Sequence, residues 1–176
     1  MELYLLRHGK AEDFHPDGDS ARALVPKGYE QARRVGVMLA AAGFLPEIVL
    51  TSPLVRARQT ADEFCTTAGL PGPVVQGWLA CGCAAESISA ELAAFHDFKR
   101  VLIVGHEPDF SQFIQWSVGA YGATFEMKKG GLACLRVSPP ARHGTLRFLI
   151  PPKLAPLADW SGSEAPPSKP PEETTG

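Results

Sequence analysis

The sequence predicts an α/β fold, a three-layer α/β/α sandwich with a mainly parallel central sheet. Three observations carry this reading. Short apolar runs alternate along the chain with stretches of helical periodicity, the pattern of strands connected by crossover helices. The most continuous runs, within ELYLLR at 2–7 and VLIVG at 101–105, are apolar at successive residues rather than at every second one, as strands covered on both faces must be. Finally, 176 residues, 45% of them hydrophobic and 20% charged, suffice for one full core.

The elements follow in order. After the strand at 2–7, Pro26 to Ala42 reads as a helix, with Ala32, Val35, Leu39 and Ala42 at helical spacing, Pro26 suited to the first turn and Gly43 to the position past the end. EIVLTS at 47–52 is a second strand. PLVRARQTADEFCTTAG at 53–69 is a helix closed by Gly69, and VVQG after the Pro/Gly stretch at 71–73 is a short edge strand. ESISAELAAFHD at 86–97 carries Ile88, Leu92 and Phe95 on one helical face. A helix at 108–119 follows the strand at 101–105. ACLRV at 133–137 and TLRFLI at 145–150 then alternate like a hairpin across SPPARHG, so the sheet is expected to be mixed. The domain is expected to span 1–157. The Pro-, Ser- and Glu-rich stretch at 158–176 has too little apolar surface to offset its chain entropy and reads as a disordered tail.

Composition excludes several classes. The formal net charge is −2, so no overall basic field draws in nucleic acid or an anionic membrane, and any anion site must be local. No apolar run approaches the roughly 20 residues of a membrane span, and Arg7 and His8 interrupt the only run near the start, which argues against a secretory signal. A cytoplasmic protein is expected. Cys65 and Cys134 lie in apolar surroundings and read as small core residues. Cys81 and Cys83 form C-G-C, which matches neither a redox C-x-x-C nor zinc-ligand spacing. No cofactor or metal is expected, and activity should survive a chelator.

In an open α/β sheet, ligands bind beyond the carboxyl ends of the strands. Three groups of polar residues stand at such ends: Arg7-His8-Gly9, Thr51-Ser52-Pro53 with Arg56 shortly after, and Gly105-His106-Glu107-Pro108. A parallel sheet brings all three to one edge. Arg7 and Arg56 are permanent cations whose planar forks match phosphate oxygens. His106, when protonated, is a further donor, His8 can be neutral and nucleophilic near neutral pH, and Gly9 allows close backbone approach. Each has a bland alternative. R-H-G alone suits a surface turn, G-H-E-P a helix start with a satisfied histidine, and Arg56 an exposed helix arginine beside Arg58. Their joint position at strand ends is what favours a phosphate-sized pocket holding one nucleophile. His15, His96 and His143 lie in a loop, a helix end and a turn, and read as solvated.

Taken in order, RHG at 7–9, SPLVRARQTA at 52–61 and GHEP at 105–108 resemble the histidine phosphatase superfamily, the phosphoglycerate mutase-like fold. The short chain and DSARALVPKG at 19–28 are most similar to its SixA-type phosphohistidine phosphatase branch. The resemblance implies that His8 is the nucleophile that becomes phosphorylated, that Arg7, Arg56 and His106 hold the phosphoryl oxygens, and that the substrate is a phosphohistidine-bearing partner protein. Many relatives carry an acid after the second motif. Here GWLACGCAAESI at 77–88 offers only Glu86, which reads more readily as a helix N-terminal acid. A pocket without a general acid favours a P–N bond, whose imidazole can depart neutral, over a P–O bond. Hydrolysis of a small phosphate monoester, of a sugar or nucleotide, and non-catalytic phosphate binding remain the alternatives.

Overall fold

The computed structural model describes residues 1–122 and 125–155. The expected tail at 158–176 lies outside them. Six strands form one sheet: β1 (Glu2–Arg7), β2 (Ile48–Thr51), β3 (Val74–Val75), β4 (Arg100–Gly105), β5 (Leu132–Val137) and β6 (Gly144–Ile150), in the order β3-β2-β4-β1-β5-β6. The pairs β3/β2, β2/β4 and β4/β1 are parallel, while β5 runs antiparallel to β1 and β6 to β5. The mainly parallel sheet with a closing hairpin is thus the observed architecture.

Helices α1 (Pro26–Ala41) and α2 (Val55–Ala68) cover one face, and α3 (Ala85–Leu92) and α4 (Asp109–Val118) the other. Successive residues of the central strands serve opposite faces. Leu3, Leu5, Val101 and Ile103 meet Ile88, Leu92, Phe110 and Phe113 on one side. Tyr4, Leu6, Leu102 and Val104 meet Val35, Leu39, Ala61 and Phe64 on the other. This two-sided burial is why the runs are apolar without alternation.

Helix ends depart from expectation for local reasons. α2 starts at Val55 rather than at residue 53, because Leu54 is extended, with φ −67° and ψ 138°. It does end on Gly69, whose φ of 67° is the left-handed conformation that suits glycine. α3 stops at Leu92, and the expected continuation tightens into a 3-10 turn at Ala93–Phe95. Ala42 is exposed at the end of α1, and the face that Ala32, Val35 and Leu39 bury is completed by Gly28 and Gly36. Val25 precedes α1 without a side-chain cap, and Pro26 opens the helix.

Gly28 explains how β1 is joined to α1. A Cβ on Gly28 would stand 2.2 Å from the Lys10 carbonyl oxygen, and one on Gly9 would stand 2.5 Å from the Gly28 carbonyl oxygen. The two backbones touch where side chains would sit. Helix propensity alone favours Gly28→Ala by about 1 kcal/mol. The opposing atom is backbone and cannot swing aside, so the variant is expected to be destabilised by about 1–3 kcal/mol instead. A urea titration showing a lower midpoint at unchanged slope checks this, and a raised midpoint refutes it.

Candidate active site

Strand register assembles the site. Arg7 pairs with Gly105 across β1/β4, and Thr51 with Val104 across β2/β4. The ladder runs one residue further, with His8 N–H donating to Gly105 O at 3.0 Å and Ser52 N–H to Val104 O at 3.0 Å. His8, Ser52 and His106 therefore leave the same edge at the same level. Arg56 reaches them from the first turn of α2.

The four residues singled out by sequence converge. His8, Arg56 and His106 are 6%, 4% and 2% exposed. The two imidazole centroids are 5.3 Å apart. His8 Nδ1 lies 2.8 Å from the Gly9 carbonyl oxygen, which can only accept, so Nδ1 carries the proton. Nε2 is left with its lone pair, and Arg56 Nε donates to it at 3.3 Å. The remaining nitrogens of Arg56 hold Asp19, Nη1 at 2.7 Å from its carbonyl oxygen and Nη2 at 2.9 Å from Oδ2. Arg7 Nη1 donates to Met127 O at 2.6 Å. Arg7 Nε and His106 Nδ1 are buried with no hydrogen-bond partner among the described residues.

Several supporting contacts escaped the sequence reading. Ser52 Oγ stands 2.8 Å from His106 Nε2 and orients that ring. Its place directly after β2, level with His8, was the available signal. Thr60 Oγ1 accepts the Gly9 N–H at 3.0 Å and donates to the Arg56 carbonyl at 2.7 Å, tying the His8 loop to α2. Asp109 Oδ2 accepts the Gly82 and Cys83 N–H groups at 2.8 and 3.2 Å and fixes the C-G-C loop. That loop places Cys81 Sγ 3.7 Å from Arg56 Nη2, and all four cysteines are free. Glu86 stands exposed in the first turn of α3. Glu107 is a second carboxyl near the edge. Burial raises its pKa, against the hydrogen bond from Ser111 and the charge of Arg7.

Burial also pushes the His8 pKa down to about 3, opposed by the Gly9 carbonyl and reinforced by His106, Arg56 and Arg7. It pushes His106 down to about 4, with Arg56 and Arg7 adding to the fall and Asp19 opposing it. Both rings are neutral near pH 7, as a nucleophile requires. The unfolded chain takes up protons at these histidines near pH 6.5, whereas the folded chain resists until about pH 4 and 3. Between those limits the unfolded state binds more protons, so stability falls as pH falls. The expected slope approaches ~1.4 kcal/mol per pH unit for each ring. Urea titrations from about pH 7 to about pH 5 check it. A flat profile contradicts it.

Chemically, the edge is suited to holding a tetrahedral oxyanion against a neutral imidazole, with guanidinium forks and a second imidazole around it. The fold is an α/β domain whose sheet edge gathers two imidazoles and the Arg56 guanidinium. The family model for the histidine phosphatase superfamily (branch 1) matches residues 3–78. An uncharacterized protein of Picosynechococcus sp. is 36% identical over 146 residues, covering 77% of this chain and 85% of that protein. Phosphohistidine phosphatase SixA of Escherichia coli is 31% identical over 112 residues, covering 61% of this chain and 68% of SixA. A solved structure of the protein histidine phosphatase SixA complexed with tungstate superposes with a TM-score of 0.77 at 26% identity, covering 87% of this chain and 98% of that one. The chain belongs to the histidine phosphatase superfamily. Among the described residues, no helix is long and apolar enough to cross a membrane.

Proposed function

We propose that this chain is a metal-independent phosphohistidine phosphatase acting on a partner protein, with His8 as the nucleophile. The observation that carries the reading is the fixed tautomer of His8: Nδ1–H is committed to the Gly9 carbonyl, and the Nε2 lone pair faces the Arg56 fork. The likeness to SixA supports it, and the tungstate of that SixA structure is a tetrahedral oxyanion.

In the first step Arg56 Nε–H turns from His8 Nε2 to a phosphoryl oxygen, and the freed Nε2 lone pair forms a bond to phosphorus as the P–N bond of the substrate breaks. A substrate imidazole whose far nitrogen is protonated leaves neutral. The positive charge then appears on phospho-His8, where the Nδ1–H bond to Gly9 O stabilises it. No net proton transfer is needed. In the second step water attacks phosphorus, the bond to Nε2 breaks, one water proton is released and neutral His8 returns. Arg56, Arg7 Nε and His106 Nδ1 supply donors to the phosphoryl oxygens, which gives the two orphaned buried atoms partners. Asp19 is a poor proton donor, since its hydrogen bonds from Arg22 and Arg56 keep its carboxyl ionised.

A second reading, hydrolysis of a phosphate monoester, is favoured by Glu107, whose raised pKa suits protonation of a departing alkoxide. Rates of the purified protein on a phosphohistidine-bearing protein and on sugar and nucleotide monophosphates separate the two. Preference for an ester, lost in Glu107→Gln, would overturn the first reading. Preference for phosphohistidine that survives Glu107→Gln supports it.

A further inference from the structure

A basic cleft adjoins the catalytic edge. Its volume is about 780 Å³, and Lys10, Lys27, Lys128, Lys129 and Lys153 line it. They come from the loop after β1, the first turn of α1, the loop before β5 and the 3-10 turn at Pro152–Leu154. Arg7 lines the cleft as well, so cleft and candidate active site share a residue. Among the described residues Lys10, Lys27, Lys129 and Lys153 belong to no ion pair, and Glu30, the one acid in the lining, is paired with Arg34. This concentration of positive charge stands in a chain whose formal net charge is −2.

The chemistry of the lining selects its occupant. Four of the five lysines are exposed. Hydrated ammonium groups on long stems attract charge at a distance but do not grip a small anion in fixed geometry, which is the work of buried arginine forks. Of the nearby forks, Arg34 is committed to Glu30, and Arg7, with Nη1 on Met127 O, keeps its unpartnered Nε for the phosphoryl site proposed above. No aromatic side chain lines the cleft among the described residues, so it offers no surface for stacking nucleobases. Its walls include Pro151 and Pro152, which have no N–H to donate. Such a surface fits an acidic polypeptide segment.

We propose that the cleft docks an acidic segment of the substrate protein and so presents the phosphorylated side chain to His8. The proposal rests on the phosphohistidine reading above for the identity of that side chain, and on the cleft alone for the docking. A cleft lined by one sign of charge also raises the rate of encounter with an opposite partner, in a manner that salt suppresses.

Two measurements test it on the full chain. The first is fluorescence polarisation with a labelled, unphosphorylated Glu-rich peptide, using wild type and K27E/K153E. Both altered positions are exposed, and the change at Lys27 puts an acid in the first turn of α1, where the helix dipole favours one. Binding is expected to weaken roughly tenfold between low and moderate salt, and by at least as much in the double variant. The second is kcat/KM on two synthetic peptides bearing one phosphohistidine, flanked by Glu or by Ser, with free phosphohistidine as reference. The Glu peptide is expected to be preferred about tenfold through KM, with the preference lost in K27E/K153E and free phosphohistidine unaffected. Equal binding by the variant, stronger binding of single-stranded DNA of equal charge, or equal turnover of the two peptides would each overturn the docking. Binding through the cleft without hydrolysis of any phosphohistidine would leave the docking standing and defeat the catalytic reading instead.

Discussion

His8→Ala is expected to abolish turnover, lowering kcat by at least about 10³–10⁴-fold and removing any acid-labile phosphate label from the protein. The size of the effect follows from the division of labour at the edge. Arg56, Arg7 and His106 remain in the variant, and on the proposed reading they hold the oxyanion, so affinity for inorganic phosphate should be largely retained while bond formation to phosphorus has no donor. Rapid quenching after mixing with substrate, followed by acid-sensitive detection of label, separates these losses. His106→Ala provides the contrast, since it should slow turnover yet leave His8 able to carry label. Retention of label in His8→Ala would remove His8 from the centre of the mechanism. The same variant should show a shallower loss of stability in acid, because one of the two rings held neutral by burial is gone.

Arg56→Ala is expected to lower kcat/KM by about 10²–10³-fold, the loss typical of removing one preorganised donor from developing charge. Arg56 acts at three places at once: Nε on His8, Nη1 on the Asp19 carbonyl and Nη2 on the Asp19 carboxylate. Its removal frees the nucleophile from its guide and releases the 3-10 turn at Asp19–Ala21 from α2. Arg56→Lys should not rescue activity, since one ammonium cannot span the directions of a planar fork. The measurement is kcat/KM together with inhibition by phosphate. Recovery of near wild-type values in the lysine variant would show that Arg56 supplies charge and no geometry.

Much of the frame was legible because burial leaves a strong imprint on sequence. β1 and β4 carry apolar side chains to both faces over 6 residues each, too short a run for a buried helix. Their carboxyl ends, Arg7 and Gly105, could be placed to the residue, and parallel pairing was enough to bring His8, His106 and Ser52 to one edge. Helix limits were less legible, since α2 begins only after the extended backbone of Leu54, which no side-chain periodicity announces. The Asp19–Arg56 contact itself could not be read from the sequence, although DSARALVPKG at 19–28 helped carry the family resemblance. It joins residues 37 apart, one of them in an irregular loop, and no periodicity encodes such a contact. The basic cleft was hidden by averaging, because its lysines come from four separate segments of a chain with slight negative charge.

The strands that deliver His8 and His106 are the two middle strands of the sheet, flanked on either side by β2 and β5 and covered by helices above and below. Amides in such a position exchange with solvent only when the whole molecule opens. Deuterium uptake at Leu3–Leu6 and Val101–Val104 should therefore track the global unfolding free energy. The two imidazole rings then have no local melting route of their own: they keep their spacing until the cooperative transition, and lose it together with everything else.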